Sequence, residues 1–419
     1  MSKSGLGAKE TLLGWIENDR ERLIGFLRQF IRCKSPNPPG DTLKAAAHVT
    51  GFLDENGLGY RTIAPNTTMP NIVATFDCKQ PGRHLVLNGH IDVFPVEEGA
   101  NWSQDPWGGD LVDGRVYGRG SADMKCGTTA SIFTYYYLNR IRDQLKGKLT
   151  LTVVSDEETF GPWGARYLFD HHPEIYGDCC LNGEPSSPHT VRFGEKGPLW
   201  LEFKVKTKGA HGAYTHASKS ANSIAMEVIG ELRKLTDLPV RRIDNLSGVL
   251  DSAAEVVDKA FGPGASAIVQ KITMNPGLMR GGVKINMIAA ECHFEVDFRL
   301  PNGIEAPAIL AEVDKIVARN PEATYRTIVY NPPAWTPPDT EMFDHVRKNS
   351  KWVANIDPVP VISLGGTDAR LWRYKGIPAI VYGPTPNGMG STDEYVTVEE
   401  FMHVVKCHVL SAYDYLTKA

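Results

Sequence analysis

The sequence predicts an α/β protein: a mixed, mostly parallel sheet with helices on both faces, interrupted by a smaller inserted α+β domain. Three observations predict it. Between Asn71 and Pro185 short apolar runs alternate with helical stretches, the pattern of a parallel sheet with crossover helices. From about Leu199 the texture becomes alternating apolar and polar, as in LWLEFKVKTKG, which reads as a half-exposed antiparallel strand. After PPAWTPPDT the first texture resumes. The expected boundaries are 1–195 and 320–419 for the two parts of the larger domain and 196–319 for the insertion.

In order, ETLLGWIENDRERLIGFLRQFIRCKS carries apolar residues at helical spacing and stops at the PNPPG turn. TLKAAAHVTGFLDENG is a second helix ending at a glycine. NIVATF, HLVLNGHIDVF, LTLTVVSDEE and CCLNGEP are strands, with SADMKCGTTASIFTYYYLNRIRDQL and GARYLFDHH as helices between them. The insertion reads strand, helix (SANSIAMEVIGELRKL), a polar Gly/Pro-containing stretch through FGPGAS, two strands (AIVQKITMNPG, AAECHFEVDFRL) and a helix (EAPAILAEVDKIVARN). VPVISLGGTDARLW, IPAIVYGPTP and the helix VEEFMHVVKCHVLSAYDYL close the chain.

Composition bounds the class without naming an activity. The chain has 419 residues, 42% of them hydrophobic and 22% charged, and a net charge of −4. That balance offers no footprint for nucleic acid or an acidic membrane. Neither an N-terminal signal-length apolar core nor a spanning apolar run of about 18 residues occurs. Seven cysteines without a CxxC spacing fit reduced thiols and a cytoplasmic location. The adjacent Cys179 and Cys180 read as small buried hydrophobes.

Four spots just after expected strands carry acids or histidine, where open α/β sheets bind ligands. In NGHIDVF, His90 and Asp92 share one face of an extended segment, so Asp92 is placed to orient a metal-ligating imidazole. In YGRGSADMKCG, Asp123 sits where a glycine-bearing loop meets a helix; an N-cap is the plain alternative. Cys126 beside it reads as a small buried residue rather than a soft ligand. In VVSDEETFG three consecutive carboxylates end a buried-looking strand, an arrangement of mutual repulsion unless a cation compensates. In CCLNGEPSS one acid, Glu184, follows an apolar run.

In this order, H-x-D, G-R-G-x-x-D-M-K, D-E-E and G-E-P resemble the pattern of the di-zinc aminoacylase, acetylornithine deacetylase and succinyl-diaminopimelate desuccinylase metallopeptidases. KGAHGAYTHASKSANSI looks like the lid signature of the desuccinylase branch, and GGVKINMIAAECHFEVDFRLP and SLGGTDARLW continue the likeness. The resemblance implies a metal-dependent hydrolase of a C–N bond, holding zinc, manganese or cobalt, one or two ions per chain, and forming a homodimer or higher oligomer through the lid. It implies His90 and Glu184 as ligands of one ion, Asp123 as a bridge, Glu158 on the second ion and Glu157 as general base. His211 would stabilise an oxyanion, with a surface-loop histidine as its alternative. Asn286, Arg299 and His216 would bind the substrate, Arg299 being otherwise a strand-edge cation. Gly365, Gly366 and Thr367 would let backbone approach the substrate, or simply form a turn.

One departure stands out. The family's last metal-ligand histidine lies four residues before a glutamate, and here that count back from Glu394 lands on Gly390. Ser391, Thr392 or Asp393 would have to supply an oxygen instead; the nearest histidine downstream is His403. The expected activity is deacylation of an N-acyl amino acid or similar small carboxylate. The alternatives are an aminohydrolase displacing an amine from an activated aromatic acid such as a nitroanthranilate, through one labile metal, and a degenerate binding protein. Retention of Glu157 speaks against the last.

Overall fold

A computed structural model describes residues 3–418. The chain forms two compact units. The first takes the residues up to Phe193, Thr336–Val361 and those from Thr367 on; the second takes Gly194–Trp335 and Ile362–Gly366.

In the first unit the strands Lys148–Val154, His84–His90, Cys179–Asn182 and Ala379–Val381 lie side by side and parallel. Asn71–Asp77 and Arg61–Ile63 extend one side antiparallel. Successive side chains of a strand face opposite ways, and both faces are covered. Leu85 and Leu87 join a core with Phe133, Tyr137, Val405 and Leu410 from the helices Lys125–Arg140 and Val398–Thr417. Val86 and Cys180 join Leu168, Phe169 and Trp372 from the helices Ala165–His171 and Ala369–Tyr374. Lys125 is fully buried, its ammonium donating to the carbonyls of Phe30 at 3.0 Å and Cys33 at 2.7 Å. It thereby ties the start of its helix to the end of the helix Arg20–Arg32.

The second unit is an antiparallel sheet in the order Thr273–Gly281, Glu291–Leu300, Gly197–Lys206, Ala323–Tyr330. Its apolar face, with Leu201, Phe203, Phe294 and Phe298, packs on Val228 and Leu232 of the helix Ala221–Arg233 and Ile309 and Val313 of the helix Ala306–Arg319. Three elements differ from expectation, the first being AIVQKITMNPG, whose opening residues lie in the helix Ala265–Val269 before the strand Thr273–Gly281 begins. The stretch expected to be irregular contains the helix Asp244–Phe261, which buries Leu246, Leu250, Ala253 and Val257 at helical spacing. The unit also runs on past 319, because Ala323–Tyr330 pairs with Gly197–Lys206. That strand is mostly exposed along one face, so it has no strong apolar run to announce it. Among the described residues no helix is long and apolar enough to cross a membrane.

Candidate metal centre

His90 ends its strand, Glu157 and Glu158 follow the strand Lys148–Val154, and Glu184 follows Cys179–Asn182. These three carboxyl ends are neighbours in the parallel sheet, so side chains distant in sequence meet at one edge. The helix carrying the Asp123 loop approaches closely: a Cβ on Gly127 would lie 1.9 Å from the Gly183 carbonyl oxygen. Only glycine permits that contact, which brings the Asp123 loop toward Glu184.

His90 Nε2 lies 3.3 Å from Asp123 Oδ1 and 3.2 Å from Glu184 Oε1. His90, Asp123 and Glu158 form one set of convergent donors, and His90, Glu157 and Glu184 another, each within 4.8 Å. His90 Nε2, Asp123 Oδ1 and Glu158 Oε1 are buried and have no hydrogen-bond partner. Buried polar atoms are ordinarily paired, so orphaned atoms converging from an imidazole and carboxylates fit a divalent transition ion. Asp123 is not an N-cap: Met124 occupies that place, and the cap makes no side-chain hydrogen bond. Cys126 is buried in the core, as expected.

Two causes set the electrostatics: burial first, then several acids gathered around one imidazole. Burial, with the charges of Glu184 and Asp368, drives the Glu157 carboxyl well above the usual range. Burial and Asp123 do the same to Glu158, and push Glu184 up to about 8. Burial alone would discharge His90, but Glu184, Asp123 and Asp92 outweigh it and raise its pKa well above normal. Burial would raise Asp123 as well, yet the neighbouring imidazole, 3.3 Å from its Oδ1, holds it low.

Asp92 acts differently from expectation. His90 Nδ1 donates to the backbone carbonyl of Asp92 at 2.8 Å, with the carboxylate 3.6 Å away. The carboxylate instead accepts the backbone N–H groups of Glu157 at 3.3 Å and Glu158 at 3.1 Å, and Asn37 Nδ2 at 2.9 Å. It fixes the turn that presents the two glutamates. Asp156, at φ 66°, turns its carboxylate to Asn37, Thr159 and the Trp163 N–H, out of the cluster. Arg370, fully buried, places Nη1 3.5 Å from Glu157 Oε1 and donates to the carbonyl of Thr367. Asn37 and Arg370 escape a sequence reading because their partners lie far away in the chain.

Gly390 is exposed at φ 70°, and a Cβ there would meet nothing nearer than Phe94 Cε2 at 4.0 Å. Asp393 does not take the histidine's place: its carboxylate accepts the Ser103 N–H at 2.7 Å and hydroxyl at 3.0 Å. Ser391 offers its carbonyl to Arg119 at 2.9 Å.

The remaining expected residues, His211, His216, Asn286, Arg299 and Gly366, belong to the second unit. His211 is exposed and paired with Met287 across a short ribbon, and Gly212 N–H donates to the Asn286 carbonyl at 2.8 Å. His216 stands exposed beside the Tyr214 ring. Arg299 Nε donates to Asp297 at 2.9 Å.

Convergent donors at the carboxyl edge of a doubly covered parallel sheet fit a metal centre, and comparison with known proteins makes the class a metal-dependent hydrolase acting on C–N amide bonds. The chain belongs to peptidase family M20/M25/M40, whose model matches residues 86–413. A succinyl-diaminopimelate desuccinylase of Cereibacter sphaeroides is 26% identical over 409 residues, covering 94% of this chain and 99% of that one. In structure, an M20 family metallo-carboxypeptidase from Sulfolobus solfataricus aligns with TM-score 0.81 at 17% identity, covering 94% and 99% of the two chains. A dipeptidase of Saccharomyces cerevisiae aligns with TM-score 0.79 at 14% identity, covering 98% and 99%.

Proposed function

We propose that the chain hydrolyses the amide of a small carboxylate-bearing substrate of the N-acyl amino acid class. The observation that carries this reading is the orphaned set His90 Nε2, Asp123 Oδ1 and Glu158 Oε1, with Glu157 and Glu184 beside it. His90, Asp123, Glu158 and Glu184 would hold the ion. When bound there, a divalent ion supplies Lewis acidity toward an amide carbonyl and makes water a stronger acid. Glu157 takes the proton of the attacking water and returns it to the departing nitrogen. Asp92 holds the turn carrying Glu157, and Arg370 steadies its carboxylate. We assign His211 to the developing oxyanion, from its own chain or a partner's, and Asn286, Arg299, His216, Gly366 and Thr367 to the substrate's charged end. The desuccinylase relative, whose substrate is an N-succinyl amino acid by its name, supports this class.

Both donor sets share one imidazole, and Gly390 adds no ligand. We therefore assign one tightly held zinc, manganese or cobalt ion per chain, any second being labile. That same glycine favours a second reading, amine displacement from an electron-poor aromatic acid such as a nitroanthranilate, because one ion would supply less Lewis acidity to a plain amide than two. The proposal also includes a cytoplasmic homodimer formed through the second unit. The test is a panel of N-acyl amino acids and aminobenzoates, assayed with the chain stripped of metal and reloaded. Metal-dependent release of amino acid supports the first reading; ammonia release from a nitroanthranilate alone replaces it with the second.

A further inference from the structure

In the sequence, Glu394 serves only to locate the position that Gly390 occupies. In the structure its carboxylate is fully buried and surrounded by donors. Oε1 accepts the backbone N–H groups of Gly120 at 3.1 Å, Ala122 at 2.9 Å and Asp123 at 3.0 Å. Oε2 accepts Arg119 Nη1 at 2.7 Å. The Glu394 carbonyl takes the Gly118 N–H at 2.9 Å, and the strand Tyr395–Thr397 pairs with Arg115–Tyr117. The loop from Gly118 to Asp123 thus wraps around one carboxylate. Gly118 and Gly120, at φ 138° and 85°, allow successive N–H groups to converge on an anion, as in other backbone anion cradles.

We propose that Glu394 is the positioning residue of the metal-ligand carboxylate Asp123, so that the C-terminal segment serves the centre through the backbone of the ligand loop. The inference rests on Asp123 being a ligand, as the proposed function has it. Glu394 touches neither substrate nor ion. Its bond to the Asp123 N–H fixes the residue whose Oδ1 stands 3.3 Å from His90 Nε2. Hydrogen bonds to an ionised acceptor are about twice as strong as neutral ones. A glycine-bearing loop released from them would relax and carry Asp123 out of register with His90. Partners behind a ligand of this kind set metal affinity by about 10–100-fold.

The test uses the full chain, stripped by chelator and titrated with Co2+ in the absence of substrate. The visible absorption of the bound ion reports ligand geometry, and thermal unfolding of the stripped protein reports fold. Glu394→Gln keeps size and one acceptor but loses the charge. It is expected to bind Co2+ about 10-fold or more weakly and with an altered spectrum. Glu394→Ala, if it folds, is expected to weaken binding further; if it does not fold, the glutamine variant decides. A glutamine variant with a lowered unfolding temperature but wild-type Co2+ affinity and spectrum would overturn the positioning role alone. A wild-type chain that takes up no Co2+ would overturn the metal centre and this inference with it.

Discussion

Glu157 and Glu158 are neighbours in sequence with different proposed tasks, and the turn built on Asp92 is what separates them. Since Glu157 is proposed to work on water and not to hold the ion, Glu157→Gln should lower kcat by about 10²–10⁴-fold while metal content stays at the wild-type level. Metal analysis beside initial rates checks both halves; a near-normal rate at saturating substrate would contradict the assignment. At Gly390 the open space admits a side chain, and histidine tolerates φ of about 70° better than most residues. Gly390→His should therefore add a second ion that survives dialysis, measured as metal per chain. Equal metal content in variant and wild type would count against the vacancy being a lost ligand. At this scale the sequence was most legible where the candidate ligands sit in short local motifs at strand ends, which the structure brings together. It was least legible for Asn37, Arg119, Arg370 and Glu394, which reach the site through contacts spanning 55 to 275 residues. For Asp92 the two-residue spacing did indicate proximity to His90, but not that the carbonyl rather than the carboxylate would meet the ring.

Among the elements, the last helix carries a consequence for acid stability. His403 and His408 are buried in Val398–Thr417, and burial lowers each pKa from 6.5 to about 4. His403 faces the Tyr382 hydroxyl at 2.7 Å, with Ser350 and Cys407 nearby and the charges of Lys406 and His189 adding to the depression. His408 donates Nε2–H to the Tyr382 carbonyl at 2.6 Å. Because the unfolded chain takes up these protons first, the stabilisation is whole above about pH 6.5 and declines as pH falls toward 4, by up to about 3 kcal/mol per histidine. His408→Gln retains an N–H donor without the titration, so its urea midpoint should fall less steeply between pH 6.5 and 4 than that of the wild type. Parallel curves would refute this. Elements with weak local signals are the ones that the sequence does not announce. In the helix Asp244–Phe261, Gly248 and several Asp and Ser residues weaken the propensity, although its buried positions keep the helical period. The exposed strand Ala323–Tyr330 depends on pairing with a strand more than a hundred residues earlier.

For the whole molecule, the alternation of strand and helix indicated the doubly covered sheet well, since both periods are written locally. Assembly is a different matter. In the second unit Thr273–Gly281 has a single strand neighbour, and Val283, Ile285 and Met287 beside it are exposed, Ile285 completely. An edge flanked by exposed aliphatic residues is a template for symmetric pairing even where Pro276 and a bulge interrupt it, so the protein should sediment as a dimer at micromolar concentration. Ile285→Asp combined with Val283→Asp should shift it toward monomer, and a wild-type monomer would contradict the pairing.

The proposed centre has a single imidazole among the described residues, and metal content per chain after exhaustive dialysis tests that most directly. About one retained divalent ion is expected, because catalytic sites of this kind take about three protein ligands and, among the described residues, His90 is the one imidazole in both donor sets. Two tightly retained ions per wild-type chain, or none, would contradict it.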